Sequence, residues 1–232
     1  MKLPFWVRKA HKWIGLVIGV QALLWMISGV YMTVISLDVI HGDHLAHVSD
    51  ASLNPQRQRI DLAQIAERFP QFDSLKLKTF LGKEVYEVAA SGKTHLVDAA
   101  TGTLLSPLSR DLVLARAKEL YQGEAEVREL TWVTKAPQEV ASRAIYAPLW
   151  AVHFDDRANS TLYFSPQSGE LLARRHDLWR LFDFLWMLHI MDYDTRTDVN
   201  NLLLRVAAGV GLAFALSGAW LVFYSFRRRS AS

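Results

Sequence analysis

The sequence predicts an α+β membrane protein in which two transmembrane helices flank a water-soluble domain of two helix-plus-antiparallel-sheet repeats. Three observations carry this prediction: two long apolar runs without charge, basic clusters outside both runs, and a strand-turn-strand pattern that occurs twice between them.

The runs are Trp13 to Leu37 and Val206 to Phe226, of 25 and 21 residues. At about 1.5 Å per helical residue they reach roughly 37 and 31 Å, enough for a hydrocarbon core of about 30 Å. Such length without a charge argues against buried core helices of a soluble protein. A cleaved signal peptide is disfavoured too, because the first run exceeds a signal h-region and no small-residue cleavage site closes it. Lys2, Arg8, Lys9 and Lys12 precede the first span, and Arg227, Arg228 and Arg229 follow the second. That bias predicts cytoplasmic termini and places the middle of the chain in a bacterial periplasm, beyond the inner membrane. The expected divisions are 1–37 for the N-terminus and first span, 38–177 for the periplasmic domain, 178–201 for an amphipathic aromatic segment, and 202–232 for the second span and basic tail.

Composition bounds the chemistry. The net charge of +3 reflects topology, since seven of the 26 Lys and Arg residues stand at the two cytoplasmic ends, and it gives no support for a nucleic-acid partner. Cysteine is absent, which excludes disulfides, thiolate catalysis, iron–sulfur clusters and covalent c-type haem attachment.

Between the spans, Glu84-Val-Tyr-Glu-Val-Ala is followed by Lys93-Thr-His-Leu-Val-Asp and a turn closing on Gly102 before Leu104-Leu105. Leu149-Trp-Ala-Val-His-Phe is followed likewise by Ser160-Thr-Leu-Tyr-Phe and a turn closing on Gly169 before Leu171-Leu172. Each unit reads as a hairpin with a third strand starting after it. Helix-period stretches beginning at Asp61 and Asp111 precede the two hairpins, and both aspartates are expected as N-caps.

The turn Val97-Asp98-Ala99-Ala100-Thr101-Gly102, the opening His11-Lys12-Trp13-Ile14-Gly15-Leu16 and a last span with Ser217-Gly218 and a basic tail together resemble the PepSY-associated membrane proteins. The likeness covers most of the chain and makes the two repeats PepSY-like; Ser165-Pro166-Gln167-Ser168-Gly169 departs from the turn motif. Some members of that family are implicated in haem-dependent reduction of ferric iron or ferric siderophores, whereas soluble PepSY modules are associated with protease propeptides and inhibition. Larger relatives have four spans, so a two-span form needs to dimerise to present an equal bundle.

On this resemblance the cofactor is non-covalent haem b, and histidines become the candidate ligands. His11 shares a helical face with Gly15 and Gly19, which leave room for a flat macrocycle. The plainer reading is a Gly-x-x-x-Gly packing face with an interfacial histidine. His189 lies in the aromatic segment with Phe182, Leu185 and Trp186 as helical neighbours, and Trp186 is a candidate wall. The alternative there is an interfacial helix anchored by its tryptophans. His11 and His189 are assigned to opposite faces of the membrane and are not expected to share one haem, unless the segment before the second span dips into the bilayer.

His41, His44 and His47, with Asp43 nearby, form a candidate transition-metal set, with His44 also a choice for a second axial ligand or a docking point for ferric iron. Against it stands a solvated loop, since Gly42 interrupts the helix and a fourth ligand is not evident. Ala207, Gly211, Ala215 and Ala219 recur every four residues and predict close pairing with the first span or with a second subunit.

The leading expectation is thus an inner-membrane b-type haem protein that takes electrons from a cytoplasmic reductant or quinol. It would reduce ferric iron or a ferric siderophore and work as a homodimer in the lipid bilayer. The alternative is a membrane-tethered module that inhibits or escorts a protease or another periplasmic partner. No hydrolase elbow, zinc-protease helix or phosphate loop occurs, and no catalytic residue is assigned.

Overall fold

A computed structural model describes residues 3–48 and 52–229; Lys2, among the basic residues counted above, and 230–232 in the tail lie outside them. The chain divides into two compact units, Met1–Leu37 with Leu181–Ser232, and Asp38–Arg180. The aromatic segment therefore goes mainly with the terminal helices.

The helical unit contains α1 (Leu3–Val34), most of α5 (Asp177–Ile190) and α6 (Leu202–Arg229). Within them Phe5–Val34 and Leu202–Tyr224 are apolar enough to cross a membrane. Helix α1 begins well before the apolar run, so Arg8, Lys9 and Lys12 are helical. Its inward residues, among them His11, Ile14, Ile18, Gln21, Trp25 and Ser28, alternate steps of three and four. Leu16, Val17 and Val20 on the other side are two-thirds or more exposed, as suits a lipid-facing surface. Helix α6 runs antiparallel to α1: Gly211 approaches Trp25, while Gly218 approaches His11.

The expected small-residue stripe is only half used between these helices. Ala207 is buried and Gly211 faces Trp25, but Ala215 and Ala219 are exposed. Steps of four residues overshoot a full turn by about 40°, so the stripe winds off the contact face. The inward path continues instead through Phe214, Ser217 and Gly218. This three-and-four spacing is that of coiled-coil-like packing.

The middle unit opens with a short helix, α2 (Leu37–His41). Then α3 (Leu62–Arg68) leads into β1 (Phe72–Phe80), β2 (Lys83–Ala90) and β3 (Lys93–Asp98), and α4 (Arg110–Leu120) into β4 (Val127–Val133), β5 (Leu149–Phe154), β6 (Thr161–Phe164) and β7 (Leu171–Arg175). The strands form two antiparallel sheets, β1-β2-β3 and β4-β5-β6-β7. Both predicted hairpins are present, and each sheet also has a strand before its hairpin. In β1 the signal was the alternation Leu75-Lys76-Leu77-Lys78, with Leu77 opposite Tyr86 and Leu75 opposite Val88. The third strand expected after each hairpin is complete only as β7; in the first sheet it shrinks to a single bridge, Val97 to Leu104.

Asp61 caps α3 as expected, accepting from the Ala63 amide at 3.1 Å. Asp111 is not the cap of α4. Ser109 takes the extended cap conformation and accepts from Leu112 N, leaving Asp111 in the first turn, where its charge faces the positive end of the helix dipole. Helix α4 supplies Val113, Ala117 and Leu120 to a core shared by Phe80, Val85 and Leu96 of one sheet and Val152, Phe154 and Phe164 of the other.

The two turns that differ in sequence are alike in hydrogen bonding. Asp98 Oδ1 accepts from the amides of Ala100 and Thr101 at 2.9 and 3.0 Å, and Gly102 N bonds back to Asp98 O. Ser165 Oγ accepts from Gln167 N and Ser168 N at 3.3 Å each, and Gly169 N bonds back to Ser165 O. Gly102 and Gly169 both have positive φ, and a Cβ on Gly169 would stand 2.5 Å from the Phe80 ring. Gly169→Ala therefore combines backbone strain with overpacking and is expected to cost about 2–4 kcal/mol. Gly82→Ala, with a positive φ but open space around it, should cost less. Denaturant unfolding of the detergent-solubilised chain measures both.

Candidate functional site

The end of α5 creates a local problem: its last carbonyls have no helical partner and lie against another apolar helix. Side chains solve it one carbonyl at a time. Gln21 Nε2 donates to Leu188 O at 3.0 Å, Trp25 Nε1 to His189 O at 2.7 Å, and Asn201 Nδ2 to Ile190 O at 2.9 Å. Asn201 also caps α6, accepting from Leu204 N at 2.8 Å.

The loop between α5 and α6 is organised around Asp192, whose carboxylate accepts from the amides of Asp194, Thr195, Thr197 and Asp198 and from the Thr195 hydroxyl. Those hydrogen bonds, the Thr195 hydroxyl first, hold the carboxyl well below the usual carboxylate range. Arg196 pairs with Asp183, and its carbonyl accepts from Trp186 Nε1 at 3.1 Å.

His189 is thereby set against α1, its Nδ1 2.7 Å from Ser28 Oγ. Its ring lies nearly parallel to Trp186, centroids 6.4 Å apart at 8°, and Trp186 is stacked in turn on Phe182 at 6.1 Å and 10°. The predicted wall of aromatic residues around His189 is thus a ladder along one side of α5.

At the other end of α1 the pattern recurs. His11 Nδ1 stands 2.6 Å from Ser217 Oγ, and the ring stacks on Phe214 at 4.2 Å and 8°. Gly218 permits the approach, since a Cβ there would lie 3.1 Å from His11 Cε1. The space that Gly15 leaves is filled by the Phe214 ring, 2.8 Å from where a Cβ would be, so its role is helix packing; Gly19 has open space above it. Among the described residues neither His11 Nε2 nor His189 Nε2 has a hydrogen-bond partner.

Seventeen residues of α1 separate His11 from Ser28, which is about 26 Å of helix rise. The two imidazole stations therefore occupy opposite ends of the helical unit and do not converge on one ligand. These are also the only two histidines that this unit's sequence contains.

The third candidate set does not assemble. Gly42, with φ +72°, turns the chain straight after His41, and among the described residues no three or more His, Asp or Glu side chains come together to hold a metal. His44 instead stands edge-on to His176 at 5.6 Å, and Asp43 pairs with Arg174 at 3.3 Å. His176 is buried and bonds through Nε2 to Ile40 O at 3.2 Å.

Sequence reasoning did not single out Gln21, Trp25, Ser28 and Asn201 as hydrogen-bonding groups, and took Ser217 only as part of a motif, although all five hydrogen-bond around His11 or the end of α5. A signal existed: Gln21 and Ser28 are polar residues one heptad apart inside an apolar run, where an unpartnered polar group is costly.

A family model described as PepSY-associated TM region matches residues 8–232. No curated protein matches the chain, and no solved structure does.

Trp25→Phe keeps the ring but strips a donor from the His189 carbonyl. It is expected to destabilise the helical unit by about 1–3 kcal/mol in detergent unfolding, with exposed Trp13→Phe near neutral. In the middle unit, burial holds His176 and His153 below the ordinary imidazole value. The unfolded chain then binds protons that the folded chain refuses, so stability is complete above about pH 6.5 and is lost as pH falls through the lowered folded values. His176→Gln should flatten that slope in unfolding curves recorded across pH.

Proposed function

This chain belongs to the PepSY-associated TM region family, and we propose that it works there as an inner-membrane haem b protein. It passes electrons from a cytoplasmic reductant or quinol to a periplasmic acceptor, ferric iron or a ferric siderophore. The observation that carries the reading is a pair of imidazoles at opposite ends of α1, each held at Nδ1 by a serine and, among the described residues, each without a partner at Nε2.

The residues present fit an imidazole-ligated porphyrin in their donor chemistry. His11 and His189 would supply Nε2, the nitrogen that protein contacts leave unused. Phe182 and Trp186 beside His189, and Phe214 beside His11, supply apolar surroundings, and burial in such surroundings is what retains a macrocycle without a covalent link. Gly19 leaves space on the same helix. Bound haem supplies reversible one-electron exchange at its iron. The protein's own part is to hold the two stations at their separate levels, with the Leu188, His189 and Ile190 carbonyls at the end of α5 each given a donor.

Charge supports the direction. Arg8, Lys9 and Lys12 stand at the end of α1 that His11 occupies, and the arginines that end α6 belong to the same side of an antiparallel pair. His11 then marks the cytoplasmic level and His189 the periplasmic one. The helical unit offers a single imidazole at each level, so a second histidine for the group would come from another copy; a twofold dimer would make a four-helix bundle, the usual container for such a group. The tethered-module reading would rely on sheet edges instead, and the edge strand β1 carries Lys76 and Lys78, which discourage strand addition.

The test is a visible spectrum of the full chain purified in detergent from haem-replete cells. Reducible b-type bands are expected, with His11→Ala and His189→Ala each removing part of the signal and the double variant all of it. Folded but colourless wild-type protein rejects the haem reading and leaves the tethered module.

A further inference from the structure

Each candidate imidazole meets a serine whose hydroxyl is also hydrogen-bonded to its own helix. Ser28 Oγ donates to Leu24 O at 2.7 Å, with Trp25 O at 3.1 Å, and stands 2.7 Å from His189 Nδ1. Ser217 Oγ donates to Phe214 O at 2.7 Å and stands 2.6 Å from His11 Nδ1. The two clusters share no residue and lie at opposite ends of α1, yet the arrangement is the same.

A hydroxyl has one hydrogen. Where that hydrogen goes to the helix carbonyl, the oxygen must accept from the imidazole, so Nδ1 carries the ring proton and Nε2 keeps its lone pair. In the reverse arrangement the hydroxyl donates to Nδ1, the carbonyl loses its extra bond, and an Nε2–H is left without a partner in an apolar setting. The first arrangement makes two hydrogen bonds and leaves one acceptor free; the second makes one, leaves a donor free and strips the carbonyl of its extra bond.

We propose that Ser28 and Ser217 are positioning residues that lock His189 and His11 in the Nδ1–H tautomer and so present Nε2 as an electron-pair donor. The proposal deepens the haem reading, and on that reading these hydroxyls orient the ligands and raise their basicity, as second-sphere hydrogen-bond acceptors do for metal-bound histidine. The serine is a helix-borne acceptor that costs the apolar span little, because its own hydrogen stays within the helix.

The experiment uses the full-length, haem-free protein in detergent, labelled with ¹⁵N-histidine, at about pH 8.5, where unperturbed imidazoles are neutral. His11→Gln and His189→Gln assign the two signals. Both rings are expected in the Nδ1–H form by at least about tenfold. Ser28→Ala should release only His189 into a tautomer mixture and Ser217→Ala only His11, while Ser28→Thr and Ser217→Thr, which keep the hydroxyl, restore the lock. Wild-type rings in the Nε2–H form, or alanine variants that leave the tautomers unchanged, overturn the proposal whether or not the protein binds haem. Haem titration of the same samples separates the two ideas. Locked tautomers in a protein that takes up no haem reject the functional reading alone, whereas on that reading each alanine variant should weaken haem retention about tenfold or more and each threonine variant should not.

Discussion

A helix that stops against apolar surfaces must give its final carbonyls to someone, and in this protein that requirement organises the membrane end of the chain. Helix α5 hands Leu188, His189 and Ile190 to Gln21, Trp25 and Asn201, one donor each. Two of those donors stand on the inward face of α1, and the third begins α6. The end of α5 is therefore fixed in level and in rotation, and His189 arrives beside Ser28 as a consequence. Without those donors a helix terminus at this position would leave these carbonyls unpaired against apolar surface.

The station at His11 is built by a different device with the same outcome. There α1 and α6 simply pack, and glycine makes the packing close: Phe214 fills the place of a side chain at position 15, and Gly218 admits the imidazole edge. Because α1 and α6 pair through alternating steps of three and four, polar residues on that face meet each other and not lipid. The proposed electron path draws on this geometry, with one imidazole at each level and a serine behind each. Between Trp13 and Met26 on α1 and between Val206 and Phe223 on α6 the exposed residues are apolar, as a bilayer or a second copy demands.

In the middle unit the controlling contact is the shared core around α4, which locks two sheets onto one helix. The turns that lead out of each hairpin show how different residues meet one demand. Asp98 and Ser165 are chemically unlike, yet each offers an oxygen to the amides two and three residues on, and each is followed four residues later by a glycine in the left-handed region. Motif comparison sees a departure at Ser165; hydrogen-bond bookkeeping sees an equivalent. The strand β1 went unread although its leucines and lysines alternate, while the cap of α4 turned on whether Ser109 or Asp111 held the extended conformation, which neither residue type decides alone.

Local patterns determined the elements: charge-free length set the two spanning helices, alternation set the hairpins, and glycine placement set their turns, because each of these follows from neighbours in the chain. The family resemblance, added to those patterns, made His11 and His189 candidates. Tertiary structure decided which polar groups those histidines would meet. Ser28 lies 161 residues from His189 and Ser217 lies 206 from His11, and no periodicity in the sequence links such distant positions. It also set His44 beside His176 and Asp43 beside Arg174, partners that the spacing of His41, His44 and His47 does not indicate. Side-chain chemistry is written residue by residue, whereas the partner of a buried polar group is chosen by whichever surface folds against it.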